Sequence, residues 1–250
     1  MRRIKLVVAY DGTNYCGWQV QPNGISIQKT LQNAIEDLVG EKICLTGASR
    51  TDAGVHALGQ VAVFDTSMGI PAERFAMAIN QRLPRDIVVQ SSAVVPEDFH
   101  PRYTSLQKTY CYRILNSRMM QPCERLYSWF VPKPLDVKAM QKAAQCFVGE
   151  HDFLSFRSQR TDVENTVRTI YSMDVLETPG ETTGSIIEIR VTGDGFLYNM
   201  VRIMTGMLVK IGHGQKTEAD ILQAFENPQP RAAAPTAPAH GLTLVEICYQ

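Results

Sequence analysis

The first hundred residues alternate between strand-like and helix-like patterns of hydrophobic positions. β-forming residues over 4–10 predict a strand, and from Ser26 apolar residues recur at the helical spacing until Gly40 ends the run. A second helix is predicted from Pro71 to about Arg82. The remaining strands are predicted at 43–48, at 58–65 and from Asp86 onward. The predicted order of elements is therefore β-α-β-β-α-β.

The second half of the chain repeats this order. A strand is predicted over 108–116, and Asp136 is predicted to cap a helix that ends at Gly149. Thr217 and Asp220 have the spacing of a capping box that opens a short helix. The other elements are predicted as strands at 166–177, 184–192 and 241–249 and a long apolar helix at 196–211.

Two consecutive β-α-β-β-α-β units indicate an α+β protein made of two ferredoxin-like units, at residues 1–105 and 106–250. In such a unit the strands form an antiparallel sheet, both helices cover one face and the other face is open. We therefore predict two antiparallel sheets that form a central cleft, with the helices on the outer face. RNA-recognition motifs bind RNA on an open face of this kind, although the same pattern hosts many unrelated functions.

Composition is that of an ordinary globular protein. The 250 residues are 44% hydrophobic, and 25 basic residues balance 25 acidic ones, which argues against a uniformly basic nucleic-acid clamp. No apolar run reaches the roughly 18 residues of a transmembrane helix, and the N-terminal strand lacks the features of a signal peptide. The six cysteines form no C-x-x-C pair. We expect a cytoplasmic protein with reduced cysteines.

The loop SRTDAGVHALGQ, between two of the predicted strands, is the strongest candidate for chemistry. Asp52 lies in this polar loop, and loops held by strands often carry catalytic groups. Asp-Ala-Gly is also an ordinary turn sequence. The residues alone leave both interpretations open.

His56 follows Asp52 by four residues, which raises the question of a metal site. This spacing suits ligation on a helix, whereas Gly54 and the flanking strand patterns argue against a helix, and no second cluster supplies further ligands. A triad built on Ser49 and His56 lacks the G-x-S-x-G elbow, and no nucleotide-binding glycine motif is present. The residues therefore indicate neither a metal nor a cofactor.

Tyr110 and Tyr112 alternate on a predicted strand beside Lys108 and Arg113. Aromatic side chains interleaved with basic ones suit base stacking combined with phosphate contact. Tyrosines two residues apart also simply fill one face of a sheet, and the two interpretations have equal weight.

Arg202 lies among apolar residues of the long helix in FLYNMVRIMTGMLVK. An unpaired buried charge is costly, so this guanidinium should have a partner. A carboxylate is the natural candidate because arginine offers it two parallel hydrogen bonds.

Seven segments, in order along the whole chain, resemble the bacterial type of the tRNA pseudouridine synthase A family. They are YDGTNYCGWQVQP, SIQKTLQNAI, SRTDAGVHA, FHPRYTSLQKTYCYRI, FVGEHDFLSF, GDGFLYNMVRIMTGML and GLTLVEICY. The family's catalytic aspartate falls on Asp52, its active-site tyrosine in K-x-Y-x-Y on Tyr110, and the arginine of its NMVR motif on Arg202. Ser49 departs from the family, which usually has glycine before Arg-Thr-Asp, and alters only the entry to the loop.

The resemblance implies an isomerase without metal or cofactor that converts uridines at positions 38–40 of the tRNA anticodon stem-loop into pseudouridine. It also implies a homodimer in which one tRNA contacts both subunits. On this hypothesis Asp52 is a nucleophile or a base, Arg202 pairs with it and keeps its pKa low, and Tyr110 stacks on the uracil. Arg50 would lie beside the extruded nucleotide.

Two alternatives remain beside this interpretation. The first is a non-catalytic RNA-binding module that uses the same open sheets and aromatic side chains. The second is a metal-dependent hydrolase built on Asp52 and His56. The charge distribution favours an RNA partner, because residues 99–123 and 195–217 contain basic but no acidic side chains.

Overall fold

A computed structural model describes residues 1–22, 24–158, 164–180, 184–230 and 232–249. Packing divides the chain into two compact units. Unit 1 consists of Met1–Leu106 and Thr243–Gln250, and unit 2 consists of Gln107–Leu242. The C-terminal strand thus packs with the first unit.

Unit 1 contains the first elements of the chain. They are β1 (Arg2–Tyr10), α1 (Ile27–Val39), β2 (Thr46–Gly47), β3 (His56–Thr66), α2 (Phe75–Asn80) and β4 (Ile87–Val95). Strand β1 pairs antiparallel with both β3 and β4, and β2 pairs antiparallel with β3. The resulting strand order is β4-β1-β3-β2.

Later elements belong mainly to unit 2. They are β5 (Ser105–Asn116), β6 (Trp129–Val131), α3 (Val137–Ala144), β7 (Gly149–Asp152), β8 (Val167–Pro179), β9 (Ser185–Gly193), α4 (Met200–Gly212) and α5 (Glu218–Glu226). Antiparallel pairing gives the order β5-β9-β8-β7, and the short β6 runs parallel to β5. The last strand, β10 (Leu242–Tyr249), pairs parallel with β3 in unit 1 through Thr243 and Leu244.

The core of unit 1 includes buried residues of β1 and of α1. Ile4, Leu6 and Val8 alternate along β1 and are fully buried, as the two-residue period of a strand requires. Helix α1 has the predicted bounds, because the Ser26 side chain accepts a hydrogen bond from the Lys29 amide and Gly40 ends the helix in the left-handed conformation. Both helix ends are therefore determined by local sequence.

Several boundaries differ from the prediction. The helix expected at 196–211 begins at Met200, because Asn199 adopts a φ of 61° that interrupts the helical backbone. The helix expected from Pro71 to Arg82 is divided into a 3₁₀ turn at Ala72–Arg74 and α2. Strands β6 and β7 were not predicted, because three or four residues are too few to show an alternating pattern.

The observed class is mixed α+β, as predicted. Among the helices of the described residues, none is long and apolar enough to cross a membrane. All six cysteines lie in the described residues and are free.

Candidate active site

The loop between β2 and β3 carries Asp52. Hydrogen bonds with Tyr10 and Trp18 hold this loop in place. The Tyr10 hydroxyl lies 2.7 Å from the Thr51 Oγ1, in a buried hydrogen bond. The Thr51 carbonyl accepts a 3.0 Å bond from the Trp18 amide, and the Trp18 side chain is 3% exposed. The residue next to Asp52 is thereby fixed through both its side chain and its backbone.

Glycines allow the polar segment after β1 to approach this loop closely. A Cβ on Gly17 would lie 2.5 Å from the Thr51 oxygen, and Gly17 has a φ of 102°. A Cβ on Gly12 would lie 2.0 Å from the Val55 oxygen. A larger residue at position 17 would displace the backbone before Asp52, and a larger residue at position 12 would displace the backbone after it.

The entry to the loop is held by a buried glutamine. The Gln60 side chain is fully buried, accepts a 3.1 Å bond from the Ser49 amide and donates a 2.7 Å bond to the Ser49 carbonyl. Because both bonds involve the backbone of Ser49, they do not depend on that residue's side chain. These two bonds would hold the backbone in the same way with glycine at position 49, the residue that the family usually has there.

The Asp52 backbone forms the turn that its sequence suggests. The Val55 amide donates a 3.1 Å bond to the Asp52 carbonyl, and Gly54 has a φ of 78°. Asp52 is partly exposed, while Arg50 on the other side of Thr51 is exposed. Turn and candidate site are therefore compatible, because the backbone makes the turn and the carboxylate remains partly accessible. A carboxylate held in this way can act as a nucleophile or as a base.

His56 supports the preceding segment and is 5% exposed. Its Nδ1 accepts a 3.1 Å bond from the Gly12 amide and lies 3.1 Å from the Asp11 Oδ1. His56 thus fastens the end of β1 to the start of β3, a role that its spacing from Asp52 did not suggest.

In unit 2, the two tyrosines of β5 occupy different environments. Tyr110 is 6% exposed, and its ring packs edge-on against Phe196 with the ring centroids 5.1 Å apart. Tyr112 is fully buried and donates a 2.7 Å hydrogen bond to the Pro238 carbonyl. Burial raises the pKa of the Tyr112 phenol, so it stays protonated at physiological pH. Tyr112 therefore fits the interpretation as a structural residue.

Arg202, on α4, is held by groups from two directions. Its Nε donates a 2.7 Å bond to the Ala237 carbonyl, and its Nη1 donates a 2.7 Å bond to the Asn199 Oδ1. The left-handed Asn199 in turn donates to the Ser158 Oγ at 2.9 Å. The sequence interpretation missed both Asn199 and Ala237. An asparagine ahead of an apolar helix is a signal for the first, since asparagine is enriched at positive φ.

The Pro/Ala-rich segment 232–238 packs tightly along α4. The Ala237 amide donates a 3.1 Å bond to the Arg202 carbonyl, and the Ala233 amide donates a 2.8 Å bond to the Ser155 carbonyl. A Cβ on Gly206 would lie 1.9 Å from the Pro235 oxygen. This segment therefore contributes to holding Arg202 in place.

The chain is similar to proteins of one kind along its whole length. A family model described as tRNA pseudouridine synthase matches residues 6–104 and 143–250. Proteins named tRNA pseudouridine synthase A from Acetivibrio thermocellus and Ruminiclostridium cellulolyticum are each 47% identical, with 100% of both chains covered. The protein of that name from Geobacter sp. is 44% identical and covers 100% of this chain and 99% of the relative. Asp52 and Arg202 lie within the matched ranges, and Tyr110 lies between them.

Proposed function

The chain belongs to the tRNA pseudouridine synthase family, and we propose that it isomerises uridine to pseudouridine at positions 38–40 of the tRNA anticodon stem-loop, with Asp52 as the catalytic carboxylate. The activity follows from the family. One observation supports the choice of Asp52. It is partly exposed, and the residue before it, Thr51, is held by hydrogen bonds to Tyr10 and Trp18.

The proposed reaction requires one carboxylate positioned beside the ribose and the uracil. The C1′–N1 glycosidic bond breaks, the uracil turns, a C1′–C5 bond forms, and the proton leaving C5 is balanced by a proton gained at N1. Because the product is an isomer of the substrate, the net reaction consumes no co-reactant: the C5 proton is released to the solvent and N1 gains one proton in its place. Asp52 acts either as a nucleophile or as a base in this sequence.

The proposal assigns substrate contacts to three further residues. Tyr110 stacks on the uracil, and its phenol assists removal of the C5 proton. Arg202 keeps the catalytic carboxylate ionised, a role that a rigid and doubly anchored guanidinium supports. Arg50, which is exposed, contacts the extruded nucleotide and helps to offset the few kcal/mol that extrusion costs.

Three wider features belong to the same proposal. The first of the two predicted ferredoxin-like units is supported by the order β4-β1-β3-β2 of unit 1, and the second stays a prediction. The predicted central cleft stays a prediction. The enzyme acts as a homodimer in the cytoplasm, where its tRNA substrate is found.

Replacing Asp52 with asparagine tests the central assignment. We expect Asp52→Asn to abolish tritium release from C5-labelled tRNA, a fall of at least about 1,000-fold, while tRNA affinity stays within a few fold. The matched control is Asp37→Asn, because Asp37 is an exposed aspartate of the same unit that pairs with Arg82 on the surface. Turnover of Asp52→Asn near that of the control would refute the assignment. A wild-type protein that binds tRNA and releases no tritium would instead indicate a non-catalytic RNA-binding module.

A further inference from the structure

The turn after β4 presents an unusually exposed aromatic ring. The Tyr103 side chain is 80% exposed, and its ring stacks on the imidazole of His100 with centroids 4.3 Å apart and planes 27° from parallel. One face of the tyrosine is thus covered by His100. A single exposed apolar residue is common on protein surfaces, so the question is whether this one is held in place.

Hydrogen bonds within the turn fix the imidazole under the tyrosine. The His100 Nδ1 accepts a 3.2 Å bond from the Arg102 amide. The His100 carbonyl accepts two bonds from Thr104, at 3.1 Å from its amide and at 2.7 Å from its hydroxyl. The stacked pair therefore rests on a turn whose own backbone is ordered.

The turn is also anchored to the sheet of unit 1. Phe99 packs on Tyr249 of β10 with ring centroids 5.0 Å apart, and the Tyr249 hydroxyl donates a 2.7 Å bond to the Pro101 carbonyl. The Lys5 ammonium of β1 lies 5.9 Å from the Phe99 ring centroid and 5.8 Å from that of Tyr249. These contacts pre-organise the turn before any ligand arrives, which lowers the entropic cost of binding.

Charges around the turn nearly cancel. Glu97 and Asp98 precede it, and they add to the effect of the Asp65 hydrogen bond in raising the pKa of the Arg3 guanidinium. Lys5 and the partly buried Arg102 supply further positive charge. A ligand held here is therefore recognised by its flat surface more than by its charge.

We propose that Tyr103, backed by His100, is a stacking platform for an unpaired base of the tRNA substrate. The inference rests on the proposed function, because an RNA with looped-out nucleotides is the ligand that offers free base faces. Stacking on an aromatic side chain tolerates any base, so the platform adds affinity without adding a sequence requirement. Tyr103 is in this sense a substrate-binding residue beyond Asp52, Tyr110, Arg202 and Arg50.

The affinity of Tyr103→Ala for unmodified tRNA tests the platform. We expect about tenfold weaker binding by fluorescence anisotropy, while Tyr103→Phe, which keeps the ring, binds within twofold of wild type. The loss should be the same factor at low and at high salt, because stacking releases no counterions. Tyr171→Ala is the matched control, since Tyr171 is a 51% exposed tyrosine on β8, and it should bind like wild type.

The proposal is overturned if Tyr103→Ala binds tRNA as tightly as wild type, or if Tyr171→Ala weakens binding equally. Tritium release at subsaturating tRNA should fall in Tyr103→Ala by the same factor as the affinity, so a lower maximal rate with unchanged affinity also overturns the proposal. Failure of the proposed function is a different result, because a wild-type protein without tritium release would leave the binding comparison intact.

Discussion

The Asp52 loop of unit 1 and the Arg202 helix of unit 2 hold their candidate residues by different means. Asp52 stands on a loop, and its neighbours are fixed by the Tyr10–Thr51 hydrogen bond and by backbone contact with Gly17. Arg202 stands on a regular helix, and its own side chain reaches out to Asn199 and Ala237. In the first region, contacts with neighbouring residues fix the backbone beside Asp52. In the second region, the Arg202 side chain itself makes the bonds that connect the helix to the groups around it.

This difference determines which changes each region tolerates. The loop has no helix to keep its shape, so a new Cβ beneath it displaces the carboxylate although no reactive atom has changed. The helix α4 keeps its shape by its own backbone bonds, so the sensitive element there is the guanidinium. Three substitutions sharpen this contrast.

Gly17→Ala should have the largest effect. The new methyl group would lie 2.5 Å from the Thr51 oxygen at a φ of 102°, so the loop must move. We expect a loss of about 3 kcal/mol in the free energy of unfolding and a fall in kcat of at least about 100-fold, measured by urea denaturation and tritium release.

Gly40→Ala is the control for Gly17→Ala. Gly40 has a φ of 72° with no atom near its Cβ position, so only backbone strain of about 1 kcal/mol should result, with kcat unchanged. If Gly17→Ala behaves like Gly40→Ala, the close packing beneath the loop does not position Asp52.

Tyr110→Phe should reduce kcat by about 100-fold without weakening tRNA binding more than threefold. The variant keeps the ring and its contact with Phe196 but loses the phenol proposed to assist proton removal. The matched change Tyr112→Phe removes the bond to the Pro238 carbonyl, so it should cost about 1 kcal/mol of stability with little effect on kcat. An unchanged kcat in Tyr110→Phe would leave stacking as its only role.

Arg202→Met should have a smaller effect on rate and a clear effect on stability. Removing the guanidinium leaves the Ala237 carbonyl and the Asn199 amide oxygen without this donor, which should cost about 2 kcal/mol in the free energy of unfolding. A fall in kcat of about 30-fold is expected if Arg202 also keeps the catalytic carboxylate ionised. A variant with full stability and full activity would show that these bonds matter to neither.

Local signals predicted the ends of helices better than they predicted contacts between distant residues. Ser26 and Gly40 bound α1 because a cap acts on its own helix, and the Thr217–Asp220 capping box is present as predicted for the same reason. The left-handed Asn199 was missed, because its conformation is stabilised by contacts with Ser158 and with the Arg202 guanidinium as well as by its own preference.

The candidate site was proposed from a resemblance, because the residues that hold its loop are distant in sequence. The Tyr10–Thr51 bond joins residues 41 positions apart, and the Arg202–Ala237 bond joins residues 35 apart. No periodicity in a single sequence reports such pairs. The motif RTDAGVHA indicated Asp52, but the residues that hold its loop became visible only when the chain was folded.

The close contact between the Pro235 carbonyl and Gly206 affects where a tag or a cleavage site can be inserted into this chain. By composition, the Pro- and Ala-rich stretch reads as a linker, where a fluorescent tag, an epitope or a protease site is usually inserted. Segment 232–238 is hydrogen-bonded to α4 and packed against its backbone. An insertion there would therefore break contacts with the helix that carries Arg202.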